Sequence, residues 1–343
     1  MKPLYFILTV FLTLIMLLLP VIALNEYKKG EDISFSLSEN KNSIKVFVKS
    51  LNTVQNVDKK SYLFSAVANS LSKNAKEEAV TAVALSFKTY IEYLKTEYPQ
   101  RNFDIDDFEQ NYLPKEELLK ALKTKWGTNY ETVKKTFLNG VEKALKYSIY
   151  YNNKPIMAKV HKISGGKTES AKNILGTDIP YLVSVESAGD LLNENFESKT
   201  TVPAEEFKNK LNGFLNININ FTENTQNYIS KINKTECGTV TGVIVTGKTA
   251  ANEKENQNQS QKDKDTPKEI TKEIKGEEFK NIFNLKSSNF TVVFKNNSFL
   301  ITSFGEGDFL GLSISGAEYM ANSGSNFKDI INWYYKNTEI VKK

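Results

Sequence analysis

The chain has 343 residues, 40% hydrophobic and 11% aromatic, enough apolar material for one large domain or two smaller ones. A formal net charge of +5, with no Lys/Arg-dense run, argues against a nucleic-acid binder and is compatible with work near an anionic wall or membrane surface. Cys237 is the one cysteine and His161 the one histidine, which excludes an internal disulfide framework and falls short of the about four ligands, or three plus water, of a Cys/His zinc site; no metal and no cofactor are expected.

Lys2 is followed by an apolar run over residues 4–24, interrupted by Thr9, Thr13 and Pro20. That is long enough to cross a bilayer as a helix of about 20 residues. Ala23 is present without a clean A-x-A cleavage site, so an uncleaved signal-anchor is favoured over a signal peptide. Either way the bulk of the chain is expected outside the cytoplasm, single-pass and membrane-attached, or secreted if the segment is cleaved. Residues 25–58 read as a juxtamembrane segment with one strand, SIKVFV at 43–48, whose apolar residues alternate. Residues 60–96 carry helical periodicity with a break at 72–74, so two helices are expected. Pro114 suits the start of a further helix, KEELLKALKTK, and Asn139-Gly140 predicts a break.

A short strand over 155–160 leads into SGGKTE at 164–169, where two glycines permit a sharp turn and close approach to a ligand. Pro203 opens a short helix that Gly213 closes, and strands follow at 214–221 and 239–245. Residues 248–275, rich in Lys, Glu and Asn, predict a flexible insertion. A helix at 277–283, a hairpin over 290–302 turning at Asn296-Asn297, and a helical stretch over 316–335 complete the chain. Helices and strands mix without βαβ regularity, so the fold class is α+β: helices and antiparallel strands around one cleft, after an N-terminal transmembrane helix.

Four segments, in order, carry a family resemblance. EEAVTAVALSFKTY at 77–90 is similar to an E-A-L-K-A-Q-A-V-A-A-R-T-Y helix, with Val83 for Gln and Lys88 for Arg. SGGKTE with IPYLVSVES is close to S-G-G-x-T-E…P-Y-L-x-S-V. GEEFKNIFNLKSSNF at 276–290 matches a G-x-x-(L/F)-R-x-x-L-x-L-x-S-x-x-F pattern with Lys280 for Arg. GEGDFLGLSISGAEYMANSG at 305–324 is similar to G-x-G-H-G-x-G-M-S-Q-x-G-A-x-x-M-A. Together they resemble the stage II sporulation protein D (SpoIID/LytB) family of cell-wall proteins, as one domain over residues 59–343.

The resemblance implies a peptidoglycan glycan-strand ligand and lytic cleavage by a carboxylic acid that protonates the glycosidic oxygen. It implies glycan contacts by His161, Ser164, Gly165, Gly166, Lys167, Thr168, Glu169, Lys88, Tyr90 and Ser313. By the same resemblance, a sporulation wall amidase and a membrane scaffold are the partners. In the family the acid is the Glu of an E-M-P-x motif, eight positions before the Glu matched by Glu78; here that position is Ser70. A serine hydroxyl is no proton donor near neutral pH. The family His of the fourth segment is Asp308, the next Gly is Phe309 and the Gln is Ile314.

Three readings follow: a glycan-binding protein with lytic activity lost or weakened; an active enzyme with its acid moved to Asp308, Glu78 or Glu169; or a non-catalytic activator of a wall amidase. Each residue also has a plainer reading. Asp308 is equally a loop carboxylate, and Glu77 and Glu78 are the acidic first turn that a helix dipole favours. His161 is equally a structural hydrogen-bonder, or one half of a Ser70–His161 pair. SGGKTE is equally a tight turn. Tyr90, Trp333, Tyr334 and Tyr335 could stack on sugars, but at helical spacing they also read as core.

Overall fold

The computed structural model describes residues 42–221, 225–249 and 268–343. The apolar segment 4–24 lies outside the described residues, and no helix among those described is long and apolar enough to cross a membrane.

Two apolar cores organise the chain. The first begins with strand β1 (Ser43–Val48), paired antiparallel with β2 (Thr53–Asp58) and parallel with β3 (Ile105–Asp106). β1 buries Ile44, Val46 and Val48, the alternate residues of a one-sided strand. These pack into the same core as the helices, so residues 43–58 are an integral part of the fold. Asp58 then caps helix α1 (Lys59–Ser70), its Oδ1 accepting from the Ser61 N–H at 2.9 Å. After the expected break, α2 (Glu77–Glu97) runs through the middle of the core, with Ala79 to Thr89 buried.

Helix α3 (Lys115–Trp126) starts after Pro114, which occupies its N-cap. Helix α4 (Tyr130–Ala144) continues straight through Asn139-Gly140, where a break was expected. The reason is contact: a Cβ on Gly140 would lie 2.7 Å from Val80 Cγ1, so glycine there lets α4 approach α2. Hairpin β4 (Tyr147–Tyr151) and β5 (Lys154–Pro155) turns on Asn152 and Asn153, both with positive φ. β6 (Val160–His161) leads into the glycine segment, and a one-turn helix α5 (Ala171–Leu175) follows it.

The second core is built from residues 197–304. One antiparallel sheet joins β7 (Glu197–Pro203) to the hairpin β12 (Phe290–Lys295) and β13 (Ser298–Phe304), which turns at Asn296-Asn297 as expected. The other sheet centres on β10 (Val240–Thr249), flanked by β8 (Ile219–Asn220), β9 (Ile229–Lys234) and β11 (Glu269–Lys275). Helices α6 (Ala204–Leu215) and α7 (Gly276–Phe283) cover the sheets. Phe207 stacks on Phe299 and Phe283, with ring centroids 4.0 and 4.6 Å apart.

Two expectations change here. Helix α6 runs past Gly213 to Leu215 and stops at Asn216, whose left-handed backbone ends it, so the strand expected from 214 is confined to Ile219–Asn220. The expected insertion at 248–275 contains ordered strand at both ends, with Lys248 paired to Glu269 and Gly242 to Lys275. β11 was hidden because only Ile270 and Ile274 turn inward along a run of charges. Residues 250–267, the middle of that expectation, lie outside the described residues.

The chain then returns to the first core. β14 (Leu312–Ser313) pairs parallel with β6, followed by α8 (Ile314–Asn322), α9 (Phe327–Tyr334) and β15 (Glu339–Lys342), which pairs with β4. The single C-terminal helix expected from sequence is therefore two, divided where Asn326 caps α9 through the N–H groups of Lys328 and Asp329. The result is α+β with mainly antiparallel sheets.

Candidate functional site

The glycine segment is placed by the fourth segment. β6 lies beside β14, Ile163 and Glu306 exchange backbone hydrogen bonds, and the Glu169 N–H donates to the Phe309 carbonyl at 2.8 Å. Gly166 has φ +99, and a Cβ there would press on Leu191 at 3.0 Å, so glycine is needed for both conformation and space.

Most of its polar side chains are already engaged inside the protein. Ser164 donates from Oγ and from its N–H to Asp190 Oδ2, at 2.5 and 2.9 Å, and Ser313 Oγ donates to Asp190 Oδ1 at 2.7 Å. Asp190, Ser164 and Ser313 have no exposed surface. Glu169 is also fully buried, accepting from Thr235 Oγ1 at 2.5 Å and Asn173 Nδ2 at 2.9 Å. Thr168 Oγ1 accepts from the Val185 N–H at 2.9 Å. Ser164, Thr168, Glu169 and Ser313 thus lock the segment's shape, and Glu169 ties it to the loop before β10. Lys167 is the exposed member, paired with Glu186 at 2.7 Å, and Gly165 is half-buried.

Two other sequence-derived positions are internal. Lys88 donates to Glu92 at 2.9 Å, the Tyr147 carbonyl at 2.7 Å and Ser148 Oγ at 2.6 Å, pinning α2 to β4. Burial lowers its pKa while the Glu92 charge opposes. His161 is buried, with Nδ1 3.3 Å from the Leu310 carbonyl and its ring against Phe309. Burial pushes its pKa down, against the charges of Asp308 and Asp190, so the ring is neutral near pH 7. No Ser70–His161 hydrogen bond forms among the described residues; Ser70 Oγ instead accepts from Asn111 Nδ2 at 3.3 Å.

Tyr90 and Asp308 meet through Lys159, which lies 5.6 Å from the Tyr90 ring centre and 3.5 Å from Asp308 Oδ2. Asp308 borders a pocket of about 360 Å³ that also touches Thr235, Thr239 and Glu277. Glu78 pairs with Lys143 at 2.5 Å and accepts from the Phe327 N–H at 2.7 Å.

Ser70 opens onto a different pocket, also of about 360 Å³. Its walls come from the end of α1 and the following turn (Asn69, Ser70, Ser72), from Lys125 of α3, from Lys162 and Ile163 just before the glycines, from Asn193 and Asn195, and from Ser315 and Glu318 of α8. Among the residues lining it are none of the three sequence-derived substitute acids, Asp308, Glu78 and Glu169. Two carboxylates line it, the exposed Glu194 and the half-buried Glu318, and sequence reasoning missed Glu318. The available signal was its place on α8, four residues after buried Ile314 and three before buried Ala321, a carboxylate on an apolar stripe. Lys125 and Asp190 were missed for the same reason: their partners are distant in sequence.

The chain matches proteins of known name along most of its length. It is 29% identical over 306 residues to stage II sporulation protein D of Bacillus subtilis, covering 87% of this chain and 78% of the relative. It is 27% identical over 309 residues to stage II sporulation protein D of Bacillus amyloliquefaciens, covering 89% and 80%. An uncharacterized protein of Brachyspira hyodysenteriae is 25% identical over 287 residues, covering 82% and 66%. No protein-family model matches. Similarity sustained over most of both chains makes this a sporulation-related protein. Its likeness is to the stage II sporulation protein D family.

Proposed function

We propose that this protein binds peptidoglycan glycan strands during sporulation, at the Ser70 pocket, with lytic activity lost or weakened. In this reading the apolar segment at 4–24 anchors it to the membrane and the described domain works on the extracytoplasmic side, beside a wall amidase and a membrane scaffold. The observation that carries the reading is convergence: Ser70, at the position of the family acid, Lys162 with Ile163, just before the glycine segment, and Ile314 with Ser315, in the fourth segment, line one pocket although they are far apart in sequence. The wall chemistry suits the ligand. Asn69, Asn193, Asn195, Ser72 and Ser315 offer amide and hydroxyl groups, and Lys162 a cation, to a polymer rich in hydroxyls, acetamido groups and carboxylates. Weakened lysis follows from Ser70, whose hydroxyl cannot protonate a glycosidic oxygen near neutral pH. Co-sedimentation with purified glycan strands tests it: wild type pellets with the strands, and a Ser315→Trp variant that fills the pocket stays in the supernatant. Equal pelleting of both proteins would remove the pocket from the reading.

A second reading, contact activation of a wall amidase, draws support from exposed apolar side chains beside the glycine segment. Leu191, Leu192, Tyr319 and Trp333 are all exposed, and the Trp333 indole is oriented by its bond to the Glu186 carbonyl at 2.7 Å. An amidase whose rate does not respond to the added protein would count against it.

A further inference from the structure

The turn that carries Ser70 is held by two charged side chains. From α3, Lys125 Nζ donates to the carbonyls of Ala68, Asn69 and Leu71, at 2.8, 3.3 and 2.6 Å. From α8, Glu318 Oε1 accepts from the Ser72 N–H at 2.6 Å. Glu318 is therefore bound to the backbone of Ser72, two residues after Ser70, and lines the same pocket, although it lies 246 positions from Ser72 in sequence. The family resemblance offers no counterpart, since Glu318 falls on a variable position of the fourth segment.

We infer that Glu318 supplies the acid that Ser70 lacks, acting from within the same pocket on the glycosidic oxygen of a bound glycan. The inference rests on the glycan-binding reading above. Burial raises the Glu318 pKa above the usual carboxylate range, against the Ser72 N–H, the Ser72 hydroxyl and the Lys125 charge. A larger fraction is therefore protonated towards neutrality than for an exposed glutamate. In the step, the Glu318 carboxyl gives its proton to the bridging oxygen as the C1–O bond breaks, and the electron pair leaves on that oxygen. The 6-hydroxyl of the same sugar closes on C1, and its proton passes to the Glu318 carboxylate. One strand becomes a 1,6-anhydro end and a free hydroxyl end, and the acid is restored.

The test incubates the purified full chain with glycan strands and measures 1,6-anhydro ends and strand binding separately. Glu318→Gln keeps an acceptor for the Ser72 N–H, so the turn and the binding are retained. The expected result is slow formation of anhydro ends by wild type, a fall of about 100-fold or more in Glu318→Gln with binding within about twofold, and partial recovery in Glu318→Asp. The wild-type rate also falls as pH rises through the raised pKa. Anhydro ends formed equally by Glu318→Gln overturn the inference. So does wild type that binds strands without cleaving them, the more so if Ser70→Glu then cleaves; in both cases the binding reading stands. Failure of wild type to bind strands overturns both.

Discussion

Ser164 and Asp190 form a buried pair: the serine hydroxyl and its own N–H both donate to one carboxylate oxygen, at 2.5 and 2.9 Å. Ser313 takes the other oxygen at 2.7 Å, so a single carboxylate joins the glycine segment to the strand before α8. Ser164 and Ser313 look like ligand-facing groups in the sequence, yet here they fix the geometry of the wall behind the Ser70 pocket.

Removing that carboxylate should be severe. Asp190→Ala leaves two hydroxyls and one N–H without their acceptor in a fully buried site, each costing about 1–3 kcal/mol. The expected loss is at least about 3 kcal/mol in urea unfolding, with Asp190→Asn retaining part of it. A loss below about 1 kcal/mol would show that the network does not hold the segment.

Glu169 separates an architectural role from a ligand-binding one. It is fully buried and bound to Thr235 and Asn173. Glu169→Ala should lower stability by about 2–4 kcal/mol. Glycan affinity measured well below the melting temperature should stay within about threefold of wild type. A large affinity loss in a protein that melts normally would return Glu169 to the binding surface.

Helix packing gives a third expectation. Gly140 faces Val80, and any Cβ there meets Val80 Cγ1 at 2.7 Å and the Glu77 carbonyl at 3.2 Å. Gly140→Val should therefore destabilise by about 1–3 kcal/mol through overpacking. Calorimetry distinguishes this from a true helix break, where bulk at the position would cost little.

Glu78 predicts a pH dependence. Burial alone would raise its pKa, but the hydrogen bond and charge of Lys143 and the Phe327 N–H outweigh it, and the net shift is downward from 4.5. Glu77 and Lys143 also lie within 3.9 Å, so the same lysine serves both carboxylates. Between the folded and unfolded values the unfolded chain binds more protons, so stability rises with pH there. The contribution is complete above 4.5 and is lost as pH falls through the folded value. Glu78→Gln should be less stable than wild type at pH 7 by about 1 kcal/mol or less, because the pair is partly solvated. The two melting curves should converge once pH has fallen below the lowered folded value.

Much of the framework was legible in local sequence. The alternation of SIKVFV, the break after α1, Pro114 and Pro203 at helix starts and the Asn296-Asn297 turn all act within a few residues, and each appears where expected. Errors came where a distant partner overrides a local signal. Gly140 reads as a breaker until Val80 is placed against it, and β11 reads as a charged linker until β10 is placed beside it.

The site divides in the same way. Sequence alone determined the family likeness, the order of its four segments and the serine at position 70, because these depend only on residue identity and spacing. Only the tertiary structure decided that Ser164, Thr168, Glu169 and Ser313 turn inward, and that Glu318 reaches the Ser72 N–H from another helix. The direction of a side chain, and whether its polar atoms are spent or free, is set by what packs against it, and those neighbours come from parts of the chain that spacing does not relate.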